Sequence, residues 1–397
     1  MGEPTQSVED DSPALREATK GTVGPLQLAE GVWAVGALDG DLPEFDEALT
    51  PFGTTYNAYL VVDEQVTLID CVRGLFAETL LANIRAIIGQ RPIDHIIVNH
   101  SEPDHSGALP MVVAAYPDAK LSGTANCQKA LAAYYPDMTC DFTVVAAGNT
   151  LEAGALTFEF IPMPMVHWPD SMATYLPARR ILFSNDAMGQ HIGSGERVDT
   201  DLELDKLLSC AQAYYANIVL PFGMQVTKLL DQIAALDIEM VCPSHGVVLT
   251  RFIGEMVAAY TRWASGETNG HQVTIVFDSM WGSTAEMAEL LREQYEASKH
   301  HVTVFDLAEQ HYSEAITQLL ESRYILVGSS TRYNQMLPSV AGFLTYLVSL
   351  KPKNRIGQAF GCYGWSGESI KFIDEELREA GFEMLEPLKA QWKWSAQ

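Results

Sequence analysis

The second half of the chain alternates short apolar segments with amphipathic segments, and this alternation constrains the fold more than any other feature. Each segment rich in β-branched or aromatic residues is followed by a stretch with helical periodicity. The predicted strands cover 273–277, 302–305, 324–327 and 356–360, and the predicted helices cover 284–298, 313–320, 338–350 and 367–380. Because parallel strands need crossover connections, this order predicts an α/β domain with a parallel sheet covered on both faces.

The first half is less regular and richer in β structure at its start. A predicted hairpin of strands 59–62 and 66–70 precedes a helix over 75–88 and a strand over 96–98. Further strands are predicted near 144 and at 158–161, 174–176 and 181–183, and further helices at 201–216, 226–235 and 251–263. A small-polar segment at 264–270 predicts a boundary between two domains, 1–266 and 271–397, with 1–27 as an N-terminal extension.

The charge balance and the cysteines argue against several classes of protein. The 397 residues include 25 Lys and Arg against 51 Asp and Glu, so the formal net charge is −26. Such a surface repels polyanions, and we expect neither nucleic acid nor a membrane as a partner. Because we see no secretory signal and no apolar run of the ~20 residues that a membrane helix needs, we expect a cytoplasmic protein. The six cysteines include no C-x-x-C pair, which argues against a zinc ribbon or rubredoxin site.

Four groups that can bind a metal ion lie within six positions of one loop. His100, Glu102, Asp104 and His105 follow the predicted strand 96–98. Burying several imidazoles and carboxylates is costly unless a cation compensates them, so this density favours a metal site over an ordinary solvated loop. Three more candidates follow later apolar segments: His167, Asp186 and His245. Loops at strand ends are where scaffolded sites usually collect.

Three loops at the carboxyl ends of the predicted parallel strands carry small, hydroxyl and aromatic side chains. The first comprises Ser279, Met280, Trp281, Gly282, Ser283 and Thr284, the second Ser330, Thr331, Arg332, Tyr333 and Asn334, and the third Cys362, Tyr363, Gly364, Trp365, Ser366 and Gly367. The first loop opens a helix, and its amides and hydroxyls suit a phosphate dianion, although an ordinary helix N-cap would look the same. It lacks the lysine of a P-loop, which argues against a nucleoside triphosphate. Ligands of open α/β sheets bind at this edge, so the three loops together predict a ligand site.

The order of the metal-binding candidates resembles the metallo-β-lactamase superfamily, whose loop reads H-x-H-x-D-H. Here the loop reads H-x-E-x-D-H, because Glu102 stands in place of the second histidine. Oxygen-rich mixed ligation suits iron better than structural zinc, and this form resembles the diiron domain of the flavodiiron proteins. The ligands that the resemblance implies are His100, Glu102 and His167 for one iron, Asp104 and His245 for the other, and Asp186 as the bridge.

The resemblance leaves the role of His105 open. In this family the residue at that position binds iron in some proteins and is turned away in others, and we expect a supporting role here. Asp170 and His191 are expected to orient ligands or to shape the pocket. His95 is expected to be structural.

The three loops of the second half resemble those that hold flavin mononucleotide (FMN) in flavodoxins. The resemblance implies FMN as a cofactor, with Trp365, Tyr363 or Trp281 packed against its ring. Ser330 stands where flavodiiron relatives usually carry proline and Cys362 where they usually carry serine, and neither change removes a phosphate contact. The implied fold is a metallo-β-lactamase-like αββα sandwich followed by a flavodoxin-like doubly wound parallel sheet.

The combination of the two halves implies an oxidoreductase. A flavin accepts electrons singly or in pairs, and two irons deliver them together to a bound diatomic molecule. The implied activity is reduction of O₂ to water, of NO to N₂O, or of both, and the preferred gas stays open. One alternative is a metallo-β-lactamase-type dizinc hydrolase fused to a flavodoxin, against which Glu102 argues. Another is a non-catalytic electron carrier, against which the complete ligand set argues.

The resemblance also implies partners. Members of this family are head-to-tail dimers in which the flavin of one subunit lies next to the diiron site of the other, and we expect such a homodimer. We find neither a rubredoxin module nor a flavin reductase extension, so electrons are expected from a separate donor, either rubredoxin or a reduced deazaflavin. The basic residues that could form a docking patch for this donor, or simply a solvated face, are Arg332, Lys351, Lys353 and Arg355.

Overall fold

The computed structural model describes residues 23–393 except residues 194 and 196. Residues 1–22 of the predicted N-terminal extension therefore lie outside the described residues. The chain divides into two compact units. Unit 1 contains the residues up to Pro43, Thr50–Leu207 and Asp237–Ile253, and unit 2 contains Glu44–Leu49, Leu208–Leu236 and the residues from Gly254 onward. The predicted domain boundary at 264–270 lies within unit 2 and stays a prediction.

Two sheets form the body of unit 1. The first has seven strands, in the order β1 (Leu26–Ala29), β2 (Val32–Ala34), β7 (Tyr59–Val62), β8 (Val66–Ile69), β9 (His95–Ile97), β10 (Lys120–Gly123) and β11 (Asp141–Val144). The second has five, in the order β12 (Thr150–Ala153), β13 (Leu156–Pro162), β14 (Met172–Leu176), β15 (Ile181–Asn185) and β16 (Met240–Pro243). Apolar side chains of both sheets, including Ile69, Phe158 and Phe183, pack into one core. Burial of this shared apolar surface is what holds the two sheets together.

The direction of the strands changes within each sheet of unit 1. From β1 to β8 the neighbours are antiparallel, whereas β8, β9, β10 and β11 are parallel. In the second sheet only β15 and β16 are parallel. Because carboxyl ends of parallel neighbours share one edge of a sheet, the residues that follow β8 and β9 lie together, as do those that follow β15 and β16.

The helices of unit 1 follow the parallel strands. They are α1 (Ala77–Ile88), α2 (Pro103–Ser106), α3 (Leu109–Ala115) and α4 (Ala125–Tyr134). Helix α1 is amphipathic and buries Leu80, Ile84 and Ile88. It confirms the predicted helix 75–88, except that Gly74–Phe76 form a tighter 3₁₀ turn. At the start of α4, Thr124 caps the helix by accepting a hydrogen bond from the N–H of Cys127 at 3.1 Å.

Unit 2 is built on a fully parallel sheet. Its strand order is β18 (His301–Asp306), β17 (Asn269–Asp278), β19 (Ser322–Ser329) and β20 (Ile356–Tyr363), and all neighbours are parallel. The position beside β20 is split between two short strands. β21 (Glu383–Met384) pairs with its beginning and β22 (Leu388–Gln391) with its end. The four predicted strands and the parallel sheet are thus confirmed.

Along the chain, the helices of unit 2 come before the sheet and between its strands. They are α5 (Leu204–Tyr214, which begins in unit 1), α6 (Gly223–Ile233), α7 (Ile253–Ser265), α8 (Ser283–Ala297), α9 (Tyr312–Leu319), α10 (Pro338–Leu350) and α11 (Glu368–Glu379). A π-helical turn, Tyr215–Val219, follows α5, and a 3₁₀ turn, Leu220–Phe222, precedes α6. Met287 and Leu291 of α8 pack on Ile275, Leu326 and Phe360 of the sheet. Every helix in the described part of the chain is too short or too polar to cross a bilayer.

Two small strand pairs were not predicted. β3 (Ala37–Asp39) pairs with β6 (Thr54–Tyr56) in unit 1, and β4 (Glu44–Phe45) pairs with β5 (Ala48–Leu49) in unit 2. The second pair is held to α9, since the N–H of Leu49 donates to Ser313 Oγ at 3.2 Å.

Candidate functional site

The segment after β9 brings four of the predicted metal ligands together. His100 lies between β9 and α2, Glu102 immediately precedes α2, and Asp104 and His105 lie within it. Pro103 occupies the first helical position, where its missing N–H costs no hydrogen bond. His100 is fully buried and His105 is 1% exposed. The strand and the short helix therefore direct these polar side chains inward.

The other three predicted ligands come from the second sheet of unit 1. His167 follows β13, Asp186 directly follows β15, and His245 follows β16. Since β15 and β16 are parallel neighbours, Asp186 and His245 leave the sheet at the same edge. All three lie near the segment after β9, so the structure brings all seven candidates into one region.

His100, Glu102 and His167 form the first of two groups. Oε2 of Glu102 lies 3.1 Å from Nε2 of His100 and 3.3 Å from Nε2 of His167. Oδ2 of Asp186 lies 3.7 Å and 3.5 Å from the same two nitrogens. The donor atoms of two imidazoles and two carboxylates thus face one another.

Asp104, His105 and His245 form the second group. Oδ2 of Asp104 lies 3.2 Å from Nε2 of His105 and 3.2 Å from Nε2 of His245. Oδ1 of Asp186 lies 3.0 Å from His105 Nε2 and 3.5 Å from His245 Nε2. His105 was expected to support the site from outside, but its Nε2 faces inward with the other donor atoms of this group.

Asp186 faces both groups, with a different oxygen toward each. Neighbouring donors on a cation with bonds of about 2.1 Å lie about 3 Å apart, which is close to the distances observed. Among the described residues, no group donates a hydrogen bond of regular geometry to the buried carboxylate oxygens of Asp104 or Asp186. Buried carboxylates without such partners are costly unless a cation compensates them. The mixed oxygen and imidazole donors therefore fit two cations, one at each group.

The imidazoles and carboxylates of the site shift one another's pKa values. Burial alone would lower the pKa of His100, but hydrogen bonds with Asp170 and Glu102 raise it to about 10. The neighbouring carboxylates also outweigh burial at His167, whose pKa rises to about 10, and at His105, whose pKa rises to about 9. Burial would raise the pKa of Glu102, but His100 and His167 lower it to about 2. Bound cations would replace the imidazole protons, because a metal ligand must be deprotonated.

Asp170 orients His100. Both of its carboxylate oxygens lie 3.2 Å from His100 Nδ1, and Oδ2 also accepts hydrogen bonds from the N–H and the hydroxyl of Ser101, each at 2.7 Å. Because the carboxylate accepts the Nδ1 proton, Nε2 is left to face the first group. This contact agrees with the expectation for Asp170.

His245 is oriented by groups that the sequence did not reveal. Its Nδ1 donates to the carbonyl oxygen of Thr55 at 2.7 Å, which leaves Nε2 for the second group. The hydroxyl of Thr55 accepts a hydrogen bond from the N–H of Gly246 at 2.7 Å. The side-chain amide of Asn57 donates to the carbonyl oxygens of Pro243 and Gly246, each at 2.9 Å. Strand β6 and the residues after it therefore hold the loop of His245.

A second supporting network precedes His100. Asp70, directly after β8, accepts hydrogen bonds from the backbone and side-chain N–H groups of Asn99 at 2.7 and 2.9 Å. The side-chain oxygen of Asn99 accepts a hydrogen bond from Thr174 at 2.7 Å. Burial raises the pKa of Asp70 to about 6, although His105 and Asn99 oppose the rise. The signal in the sequence was an acidic residue directly after an apolar strand, the same pattern that marked Asp186.

His191, expected to orient ligands or to shape the pocket, and His95, expected to be structural, are both buried. The ring of His191 lies 5.6 Å from that of His245, and its Nδ1 lies 2.9 Å from the hydroxyl of Thr54. Burial and the nearby His245 hold the pKa of His191 well below its usual value, which favours the neutral imidazole. His95 is in β9, where Nε2 lies 3.1 Å from Oε1 of Gln65.

In unit 2, the three predicted loops surround a cavity of about 470 Å³. The predicted residues that line it are Met280, Trp281, Ser283, Ser330, Thr331, Arg332, Tyr333, Cys362, Tyr363, Gly364 and Trp365. Asn334 and Ser366 line a smaller pocket beside it. The predicted residues that line neither pocket are Ser279, Gly282, Thr284 and Gly367. Trp392 also lines the cavity, and sequence reasoning missed it.

Helix α8 begins at the cavity. Gly282 precedes the helix with a φ of +86°, and no described side chain caps this end with a hydrogen bond. The first N–H groups of α8 and its dipole therefore suit a phosphate group.

Ser330 and Cys362 connect the loops. Oγ of Ser330 accepts a hydrogen bond from the N–H of Met280 at 3.2 Å and lies 3.1 Å from Oγ1 of Thr284. The N–H of Cys362 donates to Oγ1 of Thr284 at 3.4 Å, and its thiol donates to the carbonyl oxygen of Ser283 at 3.4 Å. Ser330 and Cys362 thus join the first loop to the second and third.

Large aromatic side chains are exposed around the cavity. The exposed fraction is 89% for Trp281, 81% for Tyr333, 79% for Trp365 and 66% for Trp392. Clustered exposed aromatic residues mark binding sites rather than ordinary surface. The uncapped helix end and the aromatic walls fit a ligand that has a phosphate and a flat ring, as FMN has.

Arg355 does not belong to the predicted basic surface patch. It is 2% exposed, and its guanidinium donates to the carbonyl oxygens of Leu319 at 3.1 Å and of Leu320, at the end of α9. The expectation that it lies at the surface with three other basic residues was wrong, because it satisfies the helix end instead.

Comparison with known proteins relates both units to characterised families. The model of the ODP family beta lactamase matches residues 54–246, and the flavodoxin model matches residues 275–397. A nitric oxide reductase from Moorella thermoacetica is 39% identical over 365 residues, which are 91% of each chain. These matches cover both candidate sites.

Solved structures agree over the same length. The rubredoxin oxygen:oxidoreductase from Desulfovibrio gigas matches with a TM-score of 0.91 and 36% identity, covering 94% of each chain. The flavodiiron protein from Giardia intestinalis matches with a TM-score of 0.90 and 31% identity, covering 94% of this chain and 92% of the other. The fold is accordingly a β-lactamase-like domain followed by a flavodoxin-like domain. The chain has two groups of metal-binding side chains and a cavity that fits a flavin, and it belongs to the flavodiiron protein family.

Proposed function

We propose that this protein is an oxidoreductase that reduces O₂ to water, NO to N₂O, or both, with electrons from an external donor. The observation that carries the proposal is the position of Asp186, whose two oxygens face two separate groups of imidazoles and carboxylates. A carboxylate placed in this way can bridge two metal ions. When bound, a pair of irons supplies two electrons together to a small molecule, and FMN supplies electrons singly or in pairs.

The ligand assignment is part of the proposal. His100, Glu102 and His167 would hold one iron, and Asp186 would bridge it to the second. Asp104 and His245 would hold the second iron. The distances within the second group support His105 as a further ligand.

The donor set argues against the dizinc hydrolase alternative. Glu102 Oε2 lies 3.1 and 3.3 Å from His100 and His167, so an anionic oxygen takes the place that a neutral imidazole has in zinc hydrolases. Hard oxygen donors mixed with imidazole suit iron. The relatives are also named for reductase activities and not for hydrolysis. Elemental analysis of protein purified without added metal should find about two irons per chain.

The flavin site is assigned to the cavity of unit 2. The N-terminal end of α8 would hold the phosphate, with Ser283 beside it. The exposed rings of Trp281 and Trp365 would flank the isoalloxazine. The contact between the hydroxyls of Thr284 and Ser330 would hold the first two loops together.

The electron donor and the dimer are the finer parts of the proposal. Rubredoxin or a reduced deazaflavin would supply electrons, and one relative is named a rubredoxin-oxygen oxidoreductase. A head-to-tail homodimer would cover the exposed aromatic residues around the flavin cavity, such as Tyr333 and Trp365. Sedimentation of the FMN-loaded protein tests the dimer, since an active monomer would contradict it.

A cytoplasmic location completes the proposal. The six cysteines all lie within the described residues, and they are thiols and not disulfides, as is usual in a reducing compartment. Fractionation of the native cells with antibody detection tests this location.

The function is tested by gas consumption. Full-length protein loaded with iron and FMN is reduced without air and then exposed to O₂ or to NO in separate runs. We expect rapid consumption of at least one gas, and failure with both would overturn the proposal. The variant Asp186→Asn should lose most of the activity and much of the iron, whereas Asp118→Asn, at an exposed carboxylate of unit 1, should change neither.

A further inference from the structure

Trp392 lies at the flavin cavity although it comes from a part of the chain remote from the three predicted loops. It immediately follows β22, the short strand that pairs with the end of β20. Its side chain lines the cavity together with those of Trp281 and Trp365. The sheet therefore supplies a fourth segment to the site.

The backbone of this segment is fixed to the third loop. The N–H of Trp392 donates to the carbonyl oxygen of Tyr363 at 2.8 Å. The side-chain amide of Gln391 donates to the carbonyl oxygen of Gly364 at 2.9 Å. The backbone bond continues the parallel pairing of β22 with β20, and the side-chain bond adds a second connection between this segment and the third loop.

Trp392 also adopts an unfavourable backbone conformation. Its φ is +65°, in the left-handed region that bulky residues rarely enter. Such a conformation persists only where the surroundings over-determine it, and it occurs most often at binding sites. At this position it coincides with an indole that lines the cavity.

The indole packs on a glycine. A β-carbon added to Gly364 would lie 3.1 Å from Cζ3 of Trp392 and 3.6 Å from Cη2. The outer edge of the indole thus rests against the third loop, yet the side chain is still 66% exposed. An indole that is fixed on one side and open on the other presents a flat, apolar surface to whatever occupies the cavity.

We propose that Trp392 is a flavin-contacting residue, with its indole forming one wall of the isoalloxazine pocket. The inference rests on the proposed role of FMN and adds to it a residue outside the three loops. The N-terminal end of α8 would bind the phosphate, so Trp392 should affect binding of the ring and not of the phosphate.

A spectroscopic experiment tests the contact directly. Full-length protein is labelled with 5-fluorotryptophan, freed of flavin, and titrated with FMN while ¹⁹F spectra are recorded. The Trp392 resonance is identified as the one missing in Trp392→Phe. We expect it to shift on saturation, because a flavin ring in contact changes the field at the fluorine, whereas the resonance of Trp33, in β2 of unit 1, should stay in place.

Binding measurements give a second readout. Trp392→Leu should lower the affinity for FMN and for riboflavin by the same factor, about fivefold to tenfold, because both ligands carry the same ring. Trp392→Phe should recover most of this loss. Lys393→Ala is the matched control, since Lys393 pairs with Glu286 at 3.1 Å and does not line the cavity. It should bind both ligands like the unaltered protein.

The outcomes separate the inference from the proposed function. If FMN binds and the Trp392 resonance does not shift, the inference is overturned while the flavin role stands. An unchanged affinity of Trp392→Leu for both ligands would overturn it as well. If the unaltered protein fails to bind FMN, both the inference and the proposed cofactor fall.

Discussion

Nδ1 of His100 lies 3.2 Å from both carboxylate oxygens of Asp170, and this contact holds the imidazole with Nε2 toward the first group. Replacing Asp170 with Asn should weaken metal retention about 10- to 100-fold, because the amide is a poorer acceptor and no longer fixes the ring. Iron remaining after dialysis against graded chelator concentrations measures the effect. Asp118→Asn serves as the control, and equal retention by both variants would contradict the orienting role of Asp170.

The position of His105 predicts a change in stoichiometry. Its Nε2 lies 3.0 Å from Asp186 Oδ1 and 3.2 Å from Asp104 Oδ2, so His105→Gln should leave about one tightly held iron per chain instead of two. His191→Gln is the matched control, because His191 is buried nearby and faces Thr54. Iron analysis and Mössbauer spectra of both variants check this. Two equally retained irons in His105→Gln would return His105 to a supporting role.

Arg355 predicts a large stability effect in unit 2. Its guanidinium is buried and donates to the carbonyl oxygens at the end of α9, so Arg355→Met should cost about 3 kcal/mol of unfolding free energy by leaving those oxygens unpaired. Arg378→Met should change stability little, since Arg378 is exposed and its ion pair with Asp374, one turn away, is at the surface. Urea unfolding of FMN-loaded samples gives both values. A smaller loss in Arg355→Met than in Arg378→Met would refute the capping role.

The burial of His95 predicts that the stability of the fold depends slightly on pH, independently of the metal site. Burial lowers its pKa, Asp94 opposes this and Lys120 adds to it, so the unfolded chain binds a proton more readily than the folded one. Stability from this residue is therefore present above about pH 6.5 and is lost as the pH falls below that value. His95→Gln should unfold with a shallower loss of stability between about pH 7 and pH 5. The exposed His271→Gln should follow the unaltered protein, and identical slopes in all three proteins would disprove the prediction.

The long regular elements could be predicted from the sequence because their signals are local. The parallel strands β17 to β20 and helix α10 have clear periodicity, and the predicted bounds of α10 were correct. The short strands were missed, since pairs such as β3 with β6 are held by partners distant in sequence and carry little periodicity of their own.

The same distinction applies to the sites. His100, Glu102 and their neighbours could be found because they crowd into one loop. Asn57 and Thr174 could not, because only the folded sheets bring Asn57 to Gly246 in the loop of His245 and Thr174 to Asn99. Arg355 was misjudged because a single arginine in a polar segment looks like a surface residue until the carbonyl oxygens of α9 are seen around it.

The split of the last sheet position between β21 and β22 has a practical consequence for shortening the chain. A version ending after α11 would keep all four long parallel strands and their covering helices. It would lose β22, which pairs with the end of β20 and holds Trp392 beside Tyr363. The truncation would also remove β21, and we expect the shortened protein to bind FMN more weakly, because Trp392 would no longer line the cavity.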